Sequence, residues 1–343
     1  SSPLPAAMRA RIPSGKFWGA SLGHLGDLDG DGAPELALAS PTDDAGGTNA
    51  GAVFILSMVP LPAVDVRFKQ GVMVELSMAA DGATGRLASG TVSAGDQLGA
   101  YGNGVSALDD VDGDGVGDML VGSVADADGA TDADSVVVVM LETDGSVKGQ
   151  QKITSGVGLT NGATLSLVAE DWFGCTVAGM ADWDGDGVPE AAVGARYDED
   201  GGDRAGAVWL LFLTAAGEAR ATYKLSADTT PLPLVTFDNF GQGIATLPDI
   251  DGDGKQDLAV GSHGDDEGGS GRGAVYIVFL QSVGGVGGTA EYRAHTKIAG
   301  TGGAGFVPVS PTDAQWFGHG ISAMTDAGGT AGVIAVGAPG DKD

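Results

Sequence analysis

The chain has 343 residues, 46 of them acidic and 17 basic, for a formal net charge of −29; it carries 61 glycines, a single cysteine and 43% apolar residues. That acidity makes nucleic acid and anionic membrane surfaces poor partners, and Cys175 on its own rules out an internal disulfide. No apolar run approaches the roughly 18 residues needed to span a bilayer, so membrane insertion is not expected.

The apolar residues fall into short clusters, such as 136–141 and 208–213, which argues for strands rather than disorder. Taken in order, the chain opens with a strand-like stretch, Met8–Ile12, and then repeats one unit. Each unit begins with an aromatic-glycine pair nine residues ahead of an acidic loop: Trp18-Gly19, Tyr101-Gly102, Phe173-Gly174 and Phe240-Gly241. Twelve residues after the first loop aspartate comes a small-residue turn: Ala39-Ser40-Pro41, Gly122-Ser123, Gly194-Ala195 and Gly261-Ser262. A fifth unit runs Phe317-Gly318, Asp326 and Gly337-Ala338-Pro339, but its loop, Asp326 to Thr330, has lost the acidic series and is expected to be structural only.

Strand signals recur four to a unit. A first strand follows the aromatic-glycine pair (241–247), and a second follows the acidic loop (258–260). The third is strongly apolar (51–58, 135–141, 206–213, 273–280), and the fourth carries most of the basic residues (66–74, 147–154, 221–226, 291–298). Four short strands per repeat make one propeller blade. The expected fold is therefore all-β, a β-propeller occupying 1–343 as a single domain. Its repeats fall near 17–74, 98–154, 172–227, 239–298 and 316–343, with 1–16 as a closing strand. The last repeat is incomplete, to be finished by the N-terminal strand or by another chain.

The acidic loops carry the chemistry. Carboxylates stand at positions 1, 3, 5 and 9: Asp27, Asp29, Asp31 and Glu35; Asp110, Asp112, Asp114 and Asp118; Asp182, Asp184, Asp186 and Glu190; Asp249, Asp251, Asp253 and Asp257. This is oxygen-donor spacing for a hard divalent cation, most naturally Ca²⁺. An EF-hand loop would need a carboxylate at position 12 and a following helix, but position 12 is Leu38, Val121, Val193 or Val260, each inside a strand. A hairpin-loop cation site remains. Crowded carboxylates repel one another, so the ion is expected to hold the hairpin closed.

The aromatic-glycine pairs, the loop Asp249–Asp257, Gly261-Ser262 and the fifth unit's Phe317-Gly318 and Gly337-Ala338-Pro339 resemble the FG-GAP repeat of integrin α-subunit propellers, in its microbial secreted form. The resemblance implies a β-propeller with about four Ca²⁺ ions, one per intact loop, held by the side chains at 1, 3, 5 and 9 and by the backbone carbonyl at position 7: Ala33, Val116, Val188 and Lys255. It also implies an extracellular or cell-surface module for adhesion or recognition, non-catalytic, with a protein or glycan ligand. Two alternatives stand beside it. One is a repeating subunit of an extracellular filament that self-assembles through the incomplete blade; the other is a glycan-active enzyme or its accessory domain.

Other features read as structural. The acidic turns Asp43-Asp44, Asp198-Glu199-Asp200 and Asp265-Asp266-Glu267 are expected to be solvated, Trp18, Trp172 and Trp316 to pack between blades, and the four histidines to be scattered without metal spacing. Cys175 is expected to be a small buried apolar residue.

Overall fold

A computed structural model describes residues 16–44, 47–58, 68–77, 87–88, 91–99, 102–126, 134–299, 315–325 and 332–340. They contain eighteen strands and, among the described residues, no helix. The strands form four four-stranded antiparallel meanders: β1–β4 (Leu22–Gly26, Glu35–Ser40, Ala52–Met58, Phe68–Leu76), β5–β8 (Val105–Leu108, Asp118–Ser123, Ser135–Leu141, Val147–Ile153), β9–β12 (Phe173–Gly179, Ala191–Ala195, Ala207–Leu213, Ala219–Leu225) and β13–β16 (Phe240–Leu247, Asp257–Ser262, Ala274–Val283, Thr289–Ala299). A fifth sheet pairs β17 (Ile321–Thr325) with β18 (Gly332–Val336).

The first strands of successive sheets lie side by side, and all five border one axial cavity of about 420 Å³, through Gly23, Asn103, Val177, Ile244 and Ser322 among others. Asn103 donates a hydrogen bond to the Ile321 carbonyl (2.8 Å), joining blade 2 to blade 5. This is the arrangement of a β-propeller with five sheets as its blades.

The third strands explain why the sheets stack. A strand turns alternate side chains to opposite faces. In β7, Val137, Val139 and Leu141 join a core with blade 1, whereas Val136, Val138 and Met140 join a core with blade 3. In β11, Trp209, Leu211 and Leu213 face blade 2, and Val208, Leu210 and Phe212 face blade 4. Burial on both faces is why these strands read as unbroken apolar runs rather than as alternating patterns. Each such side chain contributes roughly 1.5–3 kcal/mol by leaving water.

The joints between blades are made by glycine. A Cβ placed on Gly122, Gly194 or Gly261 would lie 1.8, 2.2 or 1.8 Å from the carbonyl oxygen of Gly174, Gly241 or Gly318 in the following blade. The small-residue turn of one blade thus seats the aromatic-glycine pair of the next. Beside each joint sits a different side-chain pair. Val124 packs with Cys175, Arg196 bonds the Gln242 amide oxygen, and His263 meets His319 edge-on at 5.5 Å. The histidines are therefore not all scattered.

In blade 2 the structure corrects the anchor. Leu98-Gly99, not Tyr101-Gly102, takes the aromatic-glycine place: Gly51 bridges Leu98 as Gly206 bridges Phe240 and Gly273 bridges Phe317. Gly99 N–H also donates to Gly122 O (2.7 Å), as Gly19 does to Ala39 (2.8 Å) and Gly318 to Gly337 (3.1 Å). Three extra residues separate this anchor from its loop, and they happen to place a second aromatic-glycine pair at the common offset. Tyr101 lies outside the described residues, as do the Met8–Ile12 stretch and the fifth loop, 326–330.

Candidate metal centres

Each acidic loop is the hairpin between the first and second strands of a blade. Loop 4 shows how its sequence folds it. The Asp249 carboxylate accepts N–H bonds from Gly252 (2.6 Å), Asp253 (3.1 Å) and Gly254 (2.7 Å). Asp251 accepts from Asp253 (3.3 Å), and Asp253 from Lys255 (2.9 Å). The chain curls inward because the glycines at positions 4 and 6 take left-handed φ in every loop: 73° and 88°, 79° and 90°, 82° and 94°, 82° and 86°. Only glycine adopts such a pair without strain.

Within each loop, three carboxylates bring oxygens to within 4.8 Å of one another, a set able to hold a metal ion: Asp27, Asp29 and Glu35; Asp110, Asp112 and Asp114; Asp182, Asp184 and Glu190; Asp249, Asp251 and Asp257. Asp31, Asp186 and Asp253 stand just outside these sets, bonded to the N–H at position 7 of their loops. Both oxygens of Asp118 accept backbone N–H bonds, from Val111 (2.8 Å) and Leu141 (2.9 Å). Ala33, Val116, Val188 and Lys255 are in place at position 7 as the N–H donors that close the turn.

The fit to a hard cation is clearest in loop 3. Glu190 is 1% exposed; one oxygen accepts the Trp183 N–H at 2.5 Å, and Oε1 has no hydrogen-bond partner. A buried, unpartnered carboxylate oxygen facing other carboxylates is costly unless a cation completes it. Burial, reinforced by Asp184, Asp186 and Asp182, pushes the Glu190 carboxyl up to about 8; burial likewise raises Asp118 to about 6. Loop 4 supports loop 3 directly: the Gln256 side chain accepts Ala181 N–H (2.8 Å), and Trp183 Nε1–H donates to Gln256 O (3.1 Å).

These shifts set a pH dependence. Glu190 and Asp134, the latter also pushed up to about 8 by burial, have folded-state values above those of unfolded carboxyls, near 4. Their contribution to stability is present below pH 4 and lost as pH rises through 8. Melting in chelator across this range should therefore show the metal-free protein more stable at pH 5 than at pH 8; a flat profile would contradict the burial of these groups.

Two of the three acidic turns are held by lysine rather than left to solvent, whereas Asp44 of the first is exposed. Asp198 and Asp265 are 2% exposed. Lys224 Nζ lies 2.6 Å from both Asp198 and Asp200, and Lys297 Nζ lies 2.6 and 2.9 Å from Asp265 and Glu267. A fourth-strand lysine supplies the cation there. Of the anchor tryptophans, Trp172 packs on the Val124–Cys175 contact between blades, as expected, and Trp316 does not. Phe173 and Phe240 are fully buried, whereas Trp316 is 45% exposed and Trp172 lies under the Arg196 guanidinium, 4.1 Å away. Cys175 is buried with a free thiol.

The family model for the FG-GAP repeat matches residues 18–56 and 240–278, each reaching from the aromatic-glycine pair through the acidic loop into the third strand. Those two segments are FG-GAP repeats. The chain is similar to integrin alpha-IIb of Mus musculus, 29% identical over 170 residues that make up 50% of this chain and 16% of the relative. Integrin alpha-PS5 of Drosophila melanogaster is 29% identical over 171 residues, 50% of the chain and 16% of the relative. Integrin alpha-4 of Xenopus laevis is 29% identical over 169 residues, 49% and 15% respectively. The matched FG-GAP region thus spans about a sixth of each integrin. No helix among the described residues is long and apolar enough to cross a membrane.

Proposed function

We propose that the chain is an extracellular recognition module, a non-catalytic propeller that binds a protein ligand and is held in shape by four Ca²⁺ ions. Each ion sits in one hairpin loop: Asp27, Asp29, Asp31 and Glu35 with the Ala33 carbonyl; Asp110, Asp112, Asp114 and Asp118 with Val116; Asp182, Asp184, Asp186 and Glu190 with Val188; Asp249, Asp251, Asp253 and Asp257 with Lys255. Their donors are all hard oxygens, the preference of Ca²⁺. The observation that carries this reading is the unpartnered, buried Glu190 Oε1 among loop carboxylates. Similarity to integrin alpha subunits supports the cell-surface setting and the recognition role.

Glu190→Gln tests the metal. The variant should lose one of four Ca²⁺ equivalents by calorimetric titration, yet melt higher than the parent in chelator, because a neutral amide is cheaper to bury than a carboxylate. Four equivalents retained would sink the assignment. For recognition, the Ca²⁺-loaded chain should bind immobilised extracellular proteins and lose that binding in chelator. Glycan turnover in a hydrolase screen would favour the enzyme alternative instead.

A self-assembling version of this module draws support from exposed apolar residues on the first and last blades: Phe17, Leu22, Met324 and Val333 are 70, 58, 53 and 48% exposed. Light scattering that shows a monomer at every concentration would remove this version.

A further inference from the structure

The fourth strand of a blade carries a β-bulge at one fixed place. In blade 2, Leu141 pairs with Val147 and Met140 with Gly149, leaving Lys148 as the extra residue. In blade 3, Leu213 pairs with Ala219 and Phe212 with Ala221, leaving Arg220. In blade 4, Leu280 pairs with Tyr292 and Phe279 with Ala294, leaving Arg293. In blade 1 the register slips between Leu56 and Met58, and Lys69 follows Phe68, the partner of Met58. A bulge re-aims the side chain it carries.

In the three blades where that side chain is described, it lands on the same two carboxylate oxygens. Lys148 Nζ lies 2.7 Å from Asp112 Oδ2 and 2.5 Å from Asp114 Oδ2. Arg220 contacts Asp184 Oδ2 and lies 3.1 Å from Asp186 Oδ2. Arg293 contacts Asp251 Oδ2 and lies 3.7 Å from Asp253 Oδ2. These are positions 3 and 5 of the acidic loop. The Oδ1 atoms of Asp114, Asp184, Asp186, Asp251 and Asp253 are meanwhile taken by loop N–H groups. At positions 3 and 5 the Oδ2 atoms, with Asp112 Oδ1 in loop 2, are what remain for a cation.

We propose that Lys148, Arg220 and Arg293 are tethered counterions. Each competes with the divalent cation for the Oδ2 atoms at positions 3 and 5, and each holds those carboxylates together when the loop lacks its ion. The inference rests on the cation-binding reading of the loops. It adds that loop affinity is set from the outer strand, by a residue outside the nine-residue motif. The base weakens binding, because adding a dication beside a fixed positive charge costs Coulomb energy. It also limits the penalty of losing the ion, because two carboxylates bridged by one positive charge repel each other less.

The test uses the full chain with Lys148, Arg220 and Arg293 all replaced by methionine, which keeps the apolar stem, and a second variant, Arg220→Lys plus Arg293→Lys, which keeps the charge. Calorimetric Ca²⁺ titration should show the methionine variant binding about tenfold more tightly at three of four loops, with the lysine variant close to the parent. In chelator the methionine variant should melt lower than the parent. Unchanged or weaker Ca²⁺ affinity in the methionine variant overturns the competition, and an unchanged melt in chelator overturns the holding role. A parent chain that takes up no Ca²⁺ defeats the cation reading itself, which the parent titration reports without either variant.

Discussion

Removing divalent cations with a chelator should lower the melting temperature by about 15 °C, and Ca²⁺ should restore it more fully than Mg²⁺. The size follows from linkage: an ion present at 100 times its dissociation constant stabilises the folded state by about 2.7 kcal/mol, and four such loops by about 10 kcal/mol. A chain of this length has an unfolding entropy of roughly 0.7 kcal/mol per degree near its midpoint, which converts that energy to the stated shift. The preference for Ca²⁺ over Mg²⁺ follows from the loops, which offer several carboxylates on a flexible hairpin. Mg²⁺ demands a tight octahedron and gives up its waters reluctantly. Scanning calorimetry in chelator, then with each metal added back, measures both effects, and a midpoint that ignores chelation refutes the stabilising role.

Gly261→Ala should give the second large effect, a loss of about 3 kcal/mol or more from overpacking that cannot relax. The new Cβ would sit 1.8 Å from the Gly318 carbonyl oxygen and 2.8 Å from its carbon. Both are backbone atoms of the neighbouring blade, so relief requires the joint to open. Gly252→Ala is the matched control. It has nothing within 4 Å of the added methyl, only a left-handed φ of 82°, and should cost about 1 kcal/mol. Chemical denaturation with Ca²⁺ present ranks the two; equal midpoints would mean that the joint yields.

What could be read from sequence was the local part. The loop motif is legible because its carboxylates, glycines and capping N–H groups are all contiguous, so residue spacing is geometry. The third strands are legible because burial on both faces leaves an unbroken apolar run. The inter-strand part was not legible. Lys224 and Lys297 neutralise acidic turns that lie more than twenty residues earlier in the chain, and nothing local distinguishes those turns from solvated ones. The blade 2 anchor misled because Leu98 carries no aromatic ring, while Tyr101-Gly102 stands at the expected offset by accident of a three-residue insertion. Nor was it legible that Asp118 spends both oxygens on the backbone, one of them on Leu141 of a different strand. Trp316 is exposed for a related reason: it immediately precedes the phenylalanine position, on backbone with φ of 58°.

The pairs beside the glycine joints give the ring a built-in order. Val124 with Cys175, Arg196 with Gln242 and His263 with His319 are apolar, hydrogen-bonding and titratable couples in turn. A blade moved to another place would set a histidine against a thiol or a valine against a histidine. The repeats are therefore near-copies in backbone but not exchangeable modules. Duplicating blade 3, which would set Arg196 against a copy of Cys175, and shuffling two blades would alike cost stability at every new seam.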